Sequence, residues 1–151
     1  MHYYFAYGSN MNAERVTERG LSFVDQFGAS LSNSALRFNK QAKINPKMAY
    51  ANVVYAKGDC VEGVAYQLSD ADQILKMDYF EGSPVRYSRE LFWINKTNGE
   101  SIAAWVYIAN EAMLKEGLQP AQWYLEHLLK GEQYLSTGYF EQLKNTPTID
   151  L

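Results

Sequence analysis

The chain has one cysteine, Cys60, and two histidines, His2 and His127. A lone cysteine excludes an internal disulfide, and three scattered soft-ligand residues lack the spacing of a zinc site. Asp and Glu form no clustered motif either, so no metal is expected. Long apolar runs are also missing: no segment approaches the ~20 continuous apolar residues that a bilayer span needs, and no membrane association is expected. Basic residues are in the minority, with 14 Lys and Arg against 17 Asp and Glu for a net charge of −3, and no run of them alternates with aromatics. Nucleic acid is therefore not an expected partner. The N-terminus runs straight into Tyr3-Tyr4-Phe5-Ala6-Tyr7 without a basic leader or cleavage site, from which a cytoplasmic location is expected.

Several catalytic signatures are absent as well. The first loop holds a single glycine, Gly8, which falls short of a dinucleotide or phosphate-loop fingerprint, so neither cofactor is expected. Ser9 lacks the Gly-x-Ser-x-Gly elbow, and a Ser or Cys triad would have only His2 or His127 as base. Repeats, low-complexity tracts and long polar linkers are missing, so residues 1–151 read as one domain. A chain of this length removes roughly 70% of its unfolded surface from water on folding. What the sequence has in quantity is apolar and aromatic surface: 47% of residues are apolar and 15% aromatic, 12 of them tyrosine. Tyrosine joins a large apolar body to a hydroxyl tip, which suits a core edge and a pocket wall alike.

Residues 3–7 read as a short buried strand ending in Gly8-Ser9-Asn10, and residues 12–19 as a short helix closed by Gly20. Residues 27–38 alternate weakly. Residues 51–56 and 61–68 read as two strands forming a hairpin around Lys57-Gly58-Asp59. Ser69, Asp70 and Asp72 supply a helix start, and that helix is expected to run to about Phe80. Residues 86–95 and 101–108 read as strands joined through Asn98-Gly99, a strong hairpin signal. Pro120 can open a helix with Trp123, Tyr124, Leu128 and Leu129 on one side, and Tyr139, Phe140 and Leu143 continue in a second. Mostly antiparallel strands with helices at the start, middle and end make an α+β chain.

Two places could carry chemistry. A strand ending in Gly8-Ser9-Asn10 before a helix leaves unpaired backbone amides around a turn, a local site for an anion or a developing oxyanion. The same residues also suit an ordinary strand-to-helix turn in which Ser9 and Asn10 cap the helix. The second place is Met77-Asp78-Tyr79-Phe80-Glu81-Gly82, where an acid meets the negative end of a helix dipole. If Tyr79, Phe80 and Tyr87 bury it, Glu81 should have a raised pKa and act as a general base near neutral pH. Otherwise Glu81 is an exposed residue beside a glycine helix stop.

Both segments occur together, and the chain resembles the γ-glutamylcyclotransferase-like family along its whole length. Tyr4-Phe5-Ala6-Tyr7-Gly8-Ser9-Asn10-Met11 is similar to the family's N-terminal motif, Val61-Glu62-Gly63-Val64-Ala65-Tyr66 to its middle strand, and Met77 to Gly82 to its acidic motif. Tyr87 sits where the family has a tyrosine shortly after the acid. The resemblance implies a small mixed, mostly antiparallel β-barrel flanked by helices, with Tyr7, Gly8, Ser9, Asn10, Met11 and Tyr87 binding substrate and Glu81 catalytic. It implies release of 5-oxoproline from a small γ-glutamyl compound, such as a γ-glutamyl amino acid, a γ-glutamyl amide or glutathione, without a cofactor.

In that chemistry the substrate's α-amine attacks its own γ-carbonyl to close a five-membered lactam. Glu81 takes a proton from the ammonium and passes it to the departing nitrogen. Loop amides bind the carboxylate or polarise the carbonyl. Tyr87 and Tyr107 either hydrogen-bond the substrate or serve the structure alone. A second reading is a non-catalytic module that binds an amino-acid-like or peptide ligand in the same pocket. Monomer and homodimer are both compatible with the sequence.

Overall fold

The computed structural model describes residues 1–151. The aromatic run at the N-terminus forms β1 (His2–Ala6), whose last three residues are buried. It pairs antiparallel with β3 (Ala49–Leu68) in a register running from His2 opposite Leu68 to Ala6 opposite Val64. On its other edge β3 pairs antiparallel with β2 (Phe23–Gln41). β2 continues to β4 (Tyr87–Lys96) through Ala29–Lys96 and Ser30–Asn95, and β4 forms a hairpin with β5 (Ser101–Ala109). A parallel pairing of Tyr4 with Trp105 returns β5 to β1. The result is a closed barrel in the order β1-β3-β2-β4-β5, mixed but mostly antiparallel, as the family resemblance implies.

Four helices flank it: α1 (Ala13–Glu18), α2 (Gln73–Glu81), α3 (Gln122–Leu129) and α4 (Thr137–Lys144). Asn12 caps α1 by accepting from the Glu14 amide at 3.2 Å, and Gly20, at φ 88°, follows its end. Ser136 caps α4 by accepting from the Tyr139 amide. The β4–β5 turn falls at Asn98-Gly99 as expected, with Gly99 in the left-handed region at φ 88°.

The expected hairpin around Lys57-Gly58-Asp59 is not a hairpin. These residues lie inside the single 20-residue strand β3, at a bulge where Ser32 opposes Cys60 and Ser34 opposes Tyr55. Asn33 takes a left-handed φ of 53°, Gly58 a φ of 86°, and the Gly58 amide donates to Asn33 Oδ1 at 3.0 Å. A bulge and a tight turn use the same residue chemistry, so Lys-Gly-Asp reads as either. The true turn is residues 42–48, closed by the Ala42 amide on the Met48 carbonyl at 3.0 Å.

Two helices also differ from expectation. α2 begins three residues after Asp70, which collects the Asp72 amide at 3.0 Å, while Ser69 bonds Ser22 instead. α3 begins at Gln122 and not at Pro120, and it buries Tyr124, Leu125 and Leu128 while Trp123 is 38% exposed. Consecutive helical residues point about 100° apart, so Trp123 and Tyr124 cannot both lie at the centre of one buried face.

The core is one continuous cluster of 31 buried residues, in which aromatic side chains of β1 meet small residues of β3. Gly63 shows how tight this contact is. A Cβ placed there would fall on the Ala6 carbonyl oxygen and within 2.9 Å of the Phe5 ring, and backbone cannot yield as a flexible side chain does. Gly63→Ala is expected to destabilise the protein by about 1–3 kcal/mol, the range for overpacking. A lowered urea midpoint checks it, and an unchanged midpoint would contradict the packing described.

Candidate active site

At the end of β1 the chain leaves the barrel through Tyr7-Gly8 and makes one 3-10 turn, Ser9–Met11, closed by the Met11 amide on the Gly8 carbonyl at 3.0 Å. The amides that open such a turn have no carbonyl within it to donate to. Gly8 is needed for space: a Cβ there would stand 3.2 Å from the Tyr124 hydroxyl and 3.3 Å from Ala51 Cβ. The expected side-chain cap is absent from this turn, and Asn10 turns inward. Its amide nitrogen donates to the Tyr4 hydroxyl at 2.9 Å and to Glu81 Oε1 at 3.3 Å, while its carbonyl accepts from Tyr66 at 2.6 Å. Arg19 donates to Asn10 Oδ1 at 3.2 Å, which fixes the amide's orientation.

Glu81 arrives from the opposite direction as the last residue of α2. Gly82 ends that helix in the left-handed conformation, φ 64° and ψ 33°. Its amide bonds the Tyr79 carbonyl, and the Ser83 amide bonds the Asp78 carbonyl, the paired pattern of a Schellman stop. One turn earlier Asp78 anchors the helix to the barrel. It takes two hydrogen bonds from Arg89 at 2.9 and 3.1 Å and one from the Tyr107 hydroxyl at 2.7 Å, and the Arg89 guanidinium lies 4.1 Å over Trp105. A forked guanidinium on a carboxylate restrains direction as well as distance, so the last turn of α2 has a fixed bearing.

The turn and the acid meet in a cavity of about 200 Å³ at one end of the barrel. Tyr7, Gly8, Ser9, Asn10, Glu81 and Tyr87 all line it, so six of the seven residues singled out from sequence are brought together. Met11 is the seventh. Its side chain is 1% exposed, packs against Gly131 and lies outside the cavity wall. The cover of Glu81 also differs from expectation. Tyr79 is 82% exposed and points away from the cavity, and Phe80, 44% exposed, lies under the Arg19 guanidinium at 5.1 Å.

Burial is the main influence on Glu81 and pushes its pKa up to about 7, against the opposing pull of Arg19, Arg15 and Lys40 and with a smaller upward push from Asp78. Six tyrosines share the wall: Tyr4, Tyr7, Tyr50, Tyr87, Tyr107 and Tyr124. Burial raises the pKa of each, so all six are neutral phenols at pH 7. Several hydroxyls are already committed. Tyr7 donates to the Tyr107 carbonyl, Tyr87 to the Ala51 carbonyl at 2.8 Å, and Tyr124 accepts from the Ala51 amide at 2.9 Å. Glu81 is the one carboxyl in the lining, and its pKa of about 7 poises it to exchange a proton near neutrality.

The sequence reading missed the cations. Arg15, Arg19, Lys40, Lys43 and Arg86 all line the cavity, although they are scattered over 72 positions and the chain is acidic overall. Arg15 and Arg19, four apart at α1, could have been paired by helical spacing. Lys40 and Arg86 depend on the barrel's register and gave no local signal.

A small closed mixed barrel with one carboxyl facing a Tyr-Gly-Ser-Asn turn defines a narrow class of protein. The chain belongs to the family described as gamma-glutamyl cyclotransferase, AIG2-like, whose model matches residues 4–132. Among solved structures it is similar to a gamma-glutamyl cyclotransferase, at 25% identity and a TM-score of 0.85, covering 99% of this chain and 90% of that one. It is similar to the uncharacterized protein loc79017 from Homo sapiens at 26% identity and a TM-score of 0.84, with the same coverage. The yeast gamma-glutamyl cyclotransferase specific to glutathione shares the fold at 13% identity and a TM-score of 0.68, covering 94% of this chain and 93% of that one. No relative among curated proteins matches the chain.

Proposed function

We propose that the protein releases 5-oxoproline and a free amine or amino acid from a small γ-glutamyl amide by intramolecular aminolysis, with Glu81 as general base and then general acid. The observation that carries this reading is the placement of Glu81, with a pKa of about 7, in one cavity with the Gly8-Ser9-Asn10 turn. Nucleophile and electrophile are in one molecule, so the main task is to fold the γ-glutamyl chain back on itself and hold it there. A cavity of about 200 Å³ walled by rigid phenols suits that task.

The α-ammonium gives one proton to Glu81, and the freed nitrogen lone pair attacks the γ-carbonyl carbon. As the tetrahedral centre collapses, the C–N bond to the leaving amine breaks and Glu81 returns its proton to that nitrogen. The second proton, shed by the ring nitrogen as the lactam forms, goes to solvent, from which the freed amine takes up one to leave as ammonium. A group that must first accept and then donate works best with a pKa near the working pH. The amides of Gly8, Ser9 and Asn10 bind the glutamyl carboxylate or the carbonyl oxygen, a donor of that kind being worth on the order of 3 kcal/mol where an oxyanion develops. Tyr7 and Tyr87 shape the wall, their hydroxyl protons being held by backbone carbonyls.

A non-catalytic binding module has no use for the raised pKa, since a carboxylate of ordinary pKa, ionised throughout at neutral pH, pairs with a ligand ammonium at least as well. The test is release of 5-oxoproline by the purified protein from γ-glutamyl amino acids, γ-glutamyl amides and glutathione, read by chromatography. Stoichiometric appearance of 5-oxoproline and the freed amine is expected for at least one class. Ligand binding without release from any of them would move the assignment to the binding module.

A further inference from the structure

The protein carries a net charge of −3, yet five basic side chains face a cavity containing one carboxyl. None of the five has a carboxylate partner, since the chain's two ion pairs are Arg89–Asp78 and Lys96–Glu100. Lys40 is the extreme case. It is 2% exposed, its ammonium lies 5.4 and 5.7 Å from the ring centres of Tyr50 and Tyr87, and it donates no hydrogen bond within the protein. The Lys40 ammonium opens onto the cavity, and with no protein anion bonded to it, it is left for a ligand to pair, the cation–π contacts offsetting only part of its desolvation. Arg15 shows the same lack: its Nε is buried and has no partner.

The cations fall into two groups. Arg15 and Arg19 repel each other beside the Asn10 turn, and Lys40 is repelled by Arg86 across the cavity's other elements, the end of β2 and the entry to β4. Lys43, exposed on the β2–β3 turn, extends the second group outward. A γ-glutamyl group brings one carboxylate and one ammonium, so its own charge sums to zero and engages one group at most. An ordinary amino-acid leaving group adds a single carboxylate, fewer than the remaining cations. Clustered charge of one sign in a low-dielectric cleft selects ligands of the opposite sign.

Resting on the cyclotransferase reading above, we infer that the preferred leaving group carries at least two carboxylates, as an acidic amino acid or acidic peptide does, and that Lys40, Arg86 and Lys43 form the subsite that receives it. The bond cleaved and the proton transfers are those already described; the inference concerns the half of the substrate that departs.

The experiment compares kcat/KM for γ-glutamyl-glutamate and γ-glutamyl-glutamine, which differ by one carboxylate against an isosteric amide. A preference of about tenfold for the glutamate is expected, shrinking at high salt as screening demands. Lys40→Met should reduce the ratio. Because Lys40 is buried, Lys43→Gln and Arg86→Gln are measured beside it, and a smaller ratio is expected in each. Equal efficiencies, or a preference for the glutamine, overturn the inference and leave the cyclotransferase reading standing. Release of 5-oxoproline from neutral γ-glutamyl compounds but from neither of this pair overturns it too. No 5-oxoproline from any γ-glutamyl compound overturns both.

Discussion

Glu81→Gln is expected to lower kcat by about 10²–10⁴-fold, the usual worth of a positioned general base, while γ-glutamyl ligands still bind. The substitution keeps an oxygen where Asn10 Nδ2 donates to Glu81 Oε1, so the contact between turn and helix survives and the proton acceptor is lost. The Schellman stop at Gly82 and the Asp78–Arg89–Tyr107 anchor are untouched, so the backbone bearing of residue 81 is preserved. Single-turnover release of 5-oxoproline together with calorimetric titration of a non-cleavable analogue separates the two effects. A variant that retains more than about a tenth of the wild-type rate would remove Glu81 from the mechanism.

The pH profile offers a second reading of the same residue. With its pKa near 7, Glu81 is protonated in acid and cannot accept from the ammonium, so kcat/KM should rise with pH through about 7. It should fall again where the substrate amine loses the proton that the leaving nitrogen needs. Arg19 and Arg15 both hold the Glu81 pKa down, so neutralising either moves the rising limb to higher pH.

Much of this site was legible in the sequence because it is local. Gly8-Ser9-Asn10 and Phe80-Glu81-Gly82 each combine a chemistry-bearing residue with a chain reversal inside a few positions, and their backbone consequences follow from glycine and short polar side chains. What was not legible depends on register. The pairing of β2 with β3 over most of their length places Lys40 opposite Tyr50, and the β4–β5 hairpin places Arg89 opposite Tyr107. A one-residue slip in either strand would turn these side chains to the other face. The bulge at Asn33 and Gly58 is such an element, read locally as a turn although both strands continue through it. Helical direction explains the misjudged cover of Glu81: Tyr79 lies two positions away, about 200° around the helix, so the residue expected to bury the acid faces solvent.

Glu81→Gln is also expected to stabilise the protein in alkali while inactivating it. The carboxyl's pKa is about 7 in the folded state against an ordinary value of 4.5, so folding favours its protonated form. For an acid raised in this way, its contribution to stability is fully present below the unfolded value and falls as pH climbs toward the folded one. Between about pH 4.5 and 7 the folded state holds the proton that the unfolded chain has released, and stability therefore declines with pH across that window. A shift of this size corresponds to on the order of 3 kcal/mol, and glutamine, which has nothing to ionise, escapes it. Urea unfolding at pH 5 and pH 8 should give a variant-minus-wild-type difference that is small in acid and rises by that amount in alkali. A difference that is constant with pH would mean that Glu81 titrates as an ordinary surface carboxylate, and one that falls would mean that its cationic neighbours outweigh its burial. The stability given up above neutrality and the basicity used in catalysis would then have no common origin, whereas burial of this one carboxyl accounts for both.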